Sequence, residues 1–178
     1  MAHVLTSVRL VLIAPVAVAF AQPDFISATT LAGLLFVAIV TDTLDGRVAR
    51  ATGTASPAGQ VFDHTTDCLF VTSGLIGAAV VGQVPWVLPI LIVAAFTQYV
   101  LDSYFLHRQK QLRMSTLGRW NGILYFVPLA LIASARLPLF DLFEPLLRTC
   151  VSLLAYGLIA STLVSMADRA LAPRIAAR

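Results

Sequence analysis

Asp42, Asp45, Asp63 and Asp67 place four of the chain's nine acidic residues within 26 positions of a sequence that is otherwise mostly hydrocarbon. Carboxylates in a membrane segment are costly unless something such as a metal ion compensates them, so their presence there points to function. Asp42 and Asp45 are spaced i,i+3, and Asp63 and Asp67 are spaced i,i+4. On helices, those spacings keep each pair on one face. Several negative charges cannot share a low-dielectric pocket unpaired: they raise one another's pKa or require a cation. Hard oxygen donors favour Mg²⁺ or Mn²⁺, and about two such ions would match the four carboxylates.

The elements that must position these groups are legible in the flanking residues. Gly53 suits a helix ending, Ser56 is a good N-cap, and Pro57 fits the first helical position. The sequence therefore predicts a helical hairpin with a turn at 51–56. Asp45 and Asp63 would lie about 9 Å down the two helices from that turn, and Asp42 and Asp67 about 15 Å down. In an antiparallel pair the depths match, so the four carboxylates are expected to converge in one cavity. Gly46 and Gly59 leave room for a bulky polar ligand, the amino end of the third helix offers N–H groups and a positive dipole, and Arg50 is a fork-shaped donor for phosphate or a nucleobase edge. The plainer account has the aspartates capping helices or pairing with Arg47 and Arg50 as solvated charges. It gives no reason for four of them to line one seam at matched depth.

The rest of the composition sets the environment. With 58% hydrophobic and 12% charged residues, the 178-residue chain is far from a soluble globular domain, where about 25% are charged. Its mean hydropathy is +0.87. The expected fold is an all-α integral membrane protein with six transmembrane helices, a single domain over 1–178 with no internal repeat. Apolar stretches run at about Leu10–Ala21, Ile26–Val40, Leu69–Val81, Val84–Leu101, Ile123–Leu139 and Pro145–Val164. Several are shorter than the roughly 20 residues a spanning helix needs and must draw on their polar flanks.

Charge placement orients the bundle. Both termini in the cytoplasm would put ten basic residues on that side: Arg9, Arg47, Arg50, Arg108, Lys110, Arg113, Arg119, Arg169, Arg174 and Arg178. Only Arg136 and Arg148 would lie near the outer side, an asymmetry of the positive-inside kind. The net charge of +3 is then a topology signal rather than a sign of nucleic-acid binding. A rival reading takes Arg9, the apolar run and Ala19-Phe20-Ala21 as a cleavable secretory signal. Pro15 interrupts that run, and cleavage would upset the charge balance. Cys68 and Cys150 lack metal-type spacing and read as small buried side chains.

The run Asp42-x-x-Asp45-Gly46-x-x-Ala49-Arg50, eight residues, Gly59-x-x-x-Asp63-x-x-x-Asp67 resembles the motif of the CDP-alcohol phosphatidyltransferase family without a departure in spacing. Leu5-Thr-Ser-Val-Arg9 with Pro15 is similar to the family's N-terminal segment, although the usual preceding Pro-Asn is absent. The resemblance implies a homodimeric membrane enzyme that moves a phosphatidyl group from CDP-diacylglycerol to a small polar alcohol and releases CMP. The expected setting is a bacterial inner membrane, with the active site facing the cytoplasm. By the same resemblance Asp42, Asp45, Asp63 and Asp67 would bind two divalent ions, Asp67 would also act as base on the acceptor hydroxyl, and Gly46, Ala49, Arg50 and Gly59 would hold the CDP moiety.

The acceptor is less specified. Phosphatidylglycerophosphate synthases commonly carry Asp-Pro-x-Ala-Asp-Lys in the second half of the motif, where this chain has Asp63-His64-Thr65-Thr66-Asp67-Cys68. Phe62-Asp63-His64 and Ser56-Pro57 look like the choline and ethanolamine phosphotransferase branch, which makes a CDP-aminoalcohol donor with diacylglycerol acceptor the alternative. His64 would handle protons or hydrogen-bond a metal ligand. Arg113 and Arg119 would form a cationic wall for a phosphorylated acceptor, and Asp102 would bond acceptor hydroxyls or pair with Arg119 or another basic residue. Ser73 with Gly77, and Gly118 with Gly122, have the spacing of close helix contacts; Trp86 and Trp120 read as interface anchors. A divalent-cation transporter is the rival from another class. It would distribute its carboxylates along a path across the bilayer instead of gathering them near one face.

Overall fold

The computed structural model describes residues 2–51, 56–102 and 116–171, apart from the side chains of 2–5, 45–50 and 57. Seven α-helices occupy these residues: α1 Ala2–Ala21, α2 Ala28–Ala51, α3 Pro57–Val80, α4 Val87–Leu101, α5 Thr116–Leu124, α6 Phe126–Ala135 and α7 Glu144–Leu171. A short 3₁₀ segment, Pro138–Phe143, leads into α7. Among the described residues no strand is present. An all-helical fold is what a largely apolar chain must adopt if its backbone polar groups are to be satisfied within each segment.

The start of α3 follows the sequence closely. Ser56 is the N-cap, its Oγ accepts from the Gly59 N–H, and Pro57 opens the helix where its missing N–H is no loss. The apolar stretch expected at Ile123–Leu139 differs from expectation: it is divided between α5, α6 and the 3₁₀ segment. Pro128 lacks an N–H and its ring crowds the carbonyl of Leu124, which places the break at Tyr125. The Tyr125 N–H still bonds Asn121 at 2.9 Å, so α6 continues from α5 across a local defect.

The first helix is the centre of the bundle. It packs on both α2 and α3, whereas α2 and α3 make little contact with each other among the described residues. The hairpin inferred from sequence is therefore wedged apart by α1. The close approach of α1 to α3 requires Gly77: a Cβ there would lie 2.3 Å from the Ala17 carbonyl oxygen and 2.9 Å from the Phe20 Cβ. Gly122, the partner of Gly118 in the second small-residue pair, would meet nothing within 4 Å and serves no such contact inside the chain. Val16, Phe20, Phe70, Leu75, Leu88 and Leu129 are fully buried around this seam. At the far end of α1, Arg136 donates to the carbonyls of Ala19 (2.7 Å) and Phe20 (3.2 Å) and stacks over the Phe20 ring. These are last-turn carbonyls that have no partner within the helix.

The outside of the bundle carries many large apolar side chains. Phe36, Leu153 and Tyr156, all within helices, are 68%, 69% and 65% exposed. Exposed apolar area on that scale marks a surface made for lipid or another protein. Among the described residues one helical stretch, Pro138–Leu171, is long and apolar enough to cross a membrane; Thr6–Ala21, Ala28–Leu44 and Val87–Leu101 are shorter apolar helices.

Candidate active site

The wedge formed by α1 carries a charge into the acidic seam. Arg9 has no exposed surface, although the sequence offered it as a cytoplasmic topology charge and as part of the N-terminal segment, with no indication that it meets the aspartates. Its Nη1 donates to Asp42 Oδ1 at 2.7 Å and contacts Asp67 Oδ1, while Nη2 donates to Asp63 Oδ1. A fully buried guanidinium is tolerated only with such partners, because an unpaired buried charge costs several kcal/mol, on the order of 3–5. Three carboxylates from two helices thus meet on one cation supplied by a third helix. Asp42 and Asp67 share the same nitrogen, which brings their oxygens within about two hydrogen-bond lengths, roughly 6 Å.

These three aspartates keep some solvent access, with side chains 36% (Asp42), 24% (Asp63) and 24% (Asp67) exposed. The site therefore opens to a ligand on the side away from Arg9. His64 joins it: its Nδ1 lies 3.8 Å from Asp63 Oδ2, and one donor atom each from Asp63, His64 and Asp67 lie within 4.8 Å of one another. Two carboxylates and an imidazole at that separation suit a divalent cation that prefers oxygen and accepts nitrogen. Histidine thus stands as a candidate direct ligand beside the aspartates, where the sequence suggested proton handling or a hydrogen bond to a ligand.

The remaining expectations divide by location. Asp45, Gly46, Ala49 and Arg50 lie on α2, which runs unbroken through them, but their side chains fall outside the described residues; Arg113 lies outside them altogether. Gly59 sits in the first turn of α3, where its N–H is committed to the Ser56 hydroxyl. Its N–H is thus not among the groups the helix end offers to phosphate. Arg119 is exposed on α5, and Asp102 is half-buried at the end of α4. Asp102 acts on the charge of Arg169, which stands over the Tyr99 ring at 4.8 Å. The Tyr99 ring in turn lies 6.5 Å from His64. Tyr99 and Arg169 thus approach the acidic site from α4 and α7. Neither carried a sequence signal, because neither belongs to a local pattern.

Behind the site a polar seam fastens α7 to its neighbours. The Tyr125 hydroxyl bonds Thr162 Oγ1 at 2.7 Å, Ser161 donates to Asn121 Oδ1 at 2.7 Å, and Gln98 Nε2 donates to the Met166 carbonyl at 3.1 Å. Such bonds fix helix register where apolar packing alone discriminates weakly. Cys68 and Cys150 are free thiols.

A sequence profile described as CDP-alcohol phosphatidyltransferase matches residues 1–167. The chain is similar to a probable phosphatidylglycerophosphate synthase of Mycobacterium tuberculosis (strain ATCC 25618 / H37Rv), 34% identical over 97 residues, or 52% of this chain and 46% of that protein. It is also similar to an archaetidylinositol phosphate synthase of Aeropyrum pernix, 30% identical over 110 residues, 61% of this chain and 55% of that one. A third similarity, to cholinephosphotransferase 1 of Xenopus laevis, is 39% identity over 69 residues, 36% of this chain and 17% of that protein. The chain spans about half or less of the length of the curated relatives it matches.

Proposed function

Because the chain belongs to the CDP-alcohol phosphatidyltransferase family, we propose that it transfers a phosphatidyl group from CDP-diacylglycerol to the hydroxyl of a small polar alcohol, releasing CMP for phospholipid synthesis. The observation that carries this reading is the convergence of Asp42, Asp63 and Asp67 on one buried guanidinium. Acidic oxygens gathered at this density form a cation site, and a cation site beside a lipid-facing bundle suits a pyrophosphate donor with acyl tails.

Asp42, Asp45, Asp63 and Asp67 would hold two Mg²⁺ or Mn²⁺ ions, which when bound neutralise the pyrophosphate and the charge developing on CMP. Asp67 takes the proton of the acceptor hydroxyl. The hydroxyl oxygen bonds to the lipid-bearing phosphorus as the bond from that phosphorus to the bridging oxygen breaks, and CMP leaves with that oxygen. Arg9 holds the three carboxylates in register. Gly46 and Gly59 admit the donor close to the backbone, with Ala49 and Arg50 completing the CDP-binding face. His64, Asp102, Arg113 and Arg119 form the acceptor side.

Two of the relatives bear names whose products carry a phosphate beyond the linkage, phosphatidylglycerophosphate and archaetidylinositol phosphate. They favour a phosphorylated polyol as the acceptor. The likeness to a cholinephosphotransferase covers less of both chains and leaves CDP-aminoalcohol transfer as the second reading. In this reading the chain has six spans, counting α5 and α6 as one, with both termini and the acidic site on the cytoplasmic side of a bacterial inner membrane. The apolar exterior and the ten-to-two charge asymmetry support that placement. The exposed faces also suit a homodimer.

Purified protein offered labelled CDP-diacylglycerol or labelled CDP-ethanolamine, each with a panel of acceptors, tests the proposal. The expected result is metal-dependent CMP release from CDP-diacylglycerol, lowered about 10²–10⁴-fold in Asp67→Asn as expected for loss of a general base. Cation flux into liposomes with no CMP release from either donor overturns it.

A further inference from the structure

At the end of the bundle opposite the carboxylates, the turn after α3, the end of α6 and the start of α7 leave a cavity of about 190 Å³ lined by Gln83, Arg136, Glu144, Arg148 and Ser152, with apolar walls from Val81, Ile132 and Val151. Val80 lies seventeen residues along α3 from Asp63. At 1.5 Å per residue that is about 26 Å, near the roughly 30 Å thickness of a bilayer's hydrocarbon. If the acidic site is at one interface, the cavity is at the other. This inference rests on the membrane-spanning part of the proposed reading and on nothing in its chemistry.

Arg136 and Arg148 are the two basic residues that stand against the charge asymmetry of the chain, and both line this one cavity. They come from different elements. Arg136 is anchored through Nη1 and Nη2 to the last carbonyls of α1, and Arg148 is held by Glu144 at 2.5 Å. The cavity's ionisable lining sums to two guanidiniums and one carboxylate, a net charge of one positive unit. Gln83 Oε1 is shielded from solvent and has no hydrogen-bond partner among the described residues, so it calls for a donor from a ligand. Beside the opening, Leu139 and Leu142 on the 3₁₀ segment are 81% and 85% exposed. They offer apolar surface where acyl chains would lie.

We propose that this cavity binds the headgroup of an anionic phospholipid whose alcohol bears free hydroxyls. One phosphodiester matches the single net positive charge, and guanidiniums bind such oxygens through charge-assisted hydrogen bonds. The hydroxyls supply donors to Gln83 and Glu144. A headgroup ending in a quaternary ammonium would cancel the charge match and bring no donor, which excludes it.

The test is native mass spectrometry of the full-length protein from mixed micelles of phosphatidylglycerol and phosphatidylcholine. One phosphatidylglycerol per chain is expected to remain bound in the wild type and equally in Asp67→Asn, which separates this site from the acidic one. Arg148→Gln removes one charged partner and should weaken retention about tenfold or more, with CMP release unchanged. Ser152→Leu, which fills the opening without changing charge, should produce the same loss and guards against misfolding of the first variant. Equal retention in both variants, equal retention of phosphatidylcholine, or displacement by millimolar inorganic phosphate overturns the assignment.

Discussion

Replacing Arg9 with Met keeps the unbranched stem of the side chain and removes the guanidinium on which three carboxylates converge. Breaking a buried ion pair by deleting one partner costs about 3–5 kcal/mol, because the surviving charges lose their compensation. Here the survivors are 24–36% exposed, so water relieves part of that cost and the lower end, about 3 kcal/mol, applies. For a chain of this length each kcal/mol corresponds to about 2–4 °C in Tm, giving a drop of about 6–12 °C without metal. A divalent ion at a hundredfold its Kd contributes about 2.7 kcal/mol and should restore most of the loss. The ion should raise the Tm of Arg9→Met more than that of the wild type, in which Arg9 competes for the same carboxylates. Thermal unfolding in detergent, with EDTA and with Mn²⁺, measures both quantities. A metal-free Tm within about 2 °C of wild type, with no larger gain from Mn²⁺, would show that Arg9 does not neutralise the cluster.

Gly77→Ala should destabilise the protein by about 1–3 kcal/mol, read from its Tm, since the new Cβ falls 2.3 Å from backbone that has nowhere to move. Gly122→Ala, with nothing within 4 Å, should leave the Tm unchanged. His64→Asn should raise the Mn²⁺ concentration needed for half-maximal CMP release if the ring is a ligand; unchanged metal dependence with a lost pH profile would assign it to proton transfer instead. Tyr125→Phe deletes the 2.7 Å bond to Thr162 at a site only 9% exposed and should cost about 0.6–1.5 kcal/mol in equilibrium unfolding.

What the sequence determined by itself is what depends on neighbours a few positions away. The i,i+3 and i,i+4 aspartate pairs, the Ser56 cap with Pro57, and the apolar runs follow from helix geometry and hydrocarbon content, so the motif, the helical class and the family were all legible. What only the tertiary structure decided is which distant groups meet. Arg9 lies 33 residues from Asp42 and 54 from Asp63, separations across which no periodicity operates. Its role depends on α1 entering between α2 and α3, which close packing at Gly77 permits. The approach of Tyr99 and Arg169 to His64 was hidden for the same reason. Burial turns an ordinary arginine into the counter-charge of a site, and burial is a property of the packed helices, absent from any one of them.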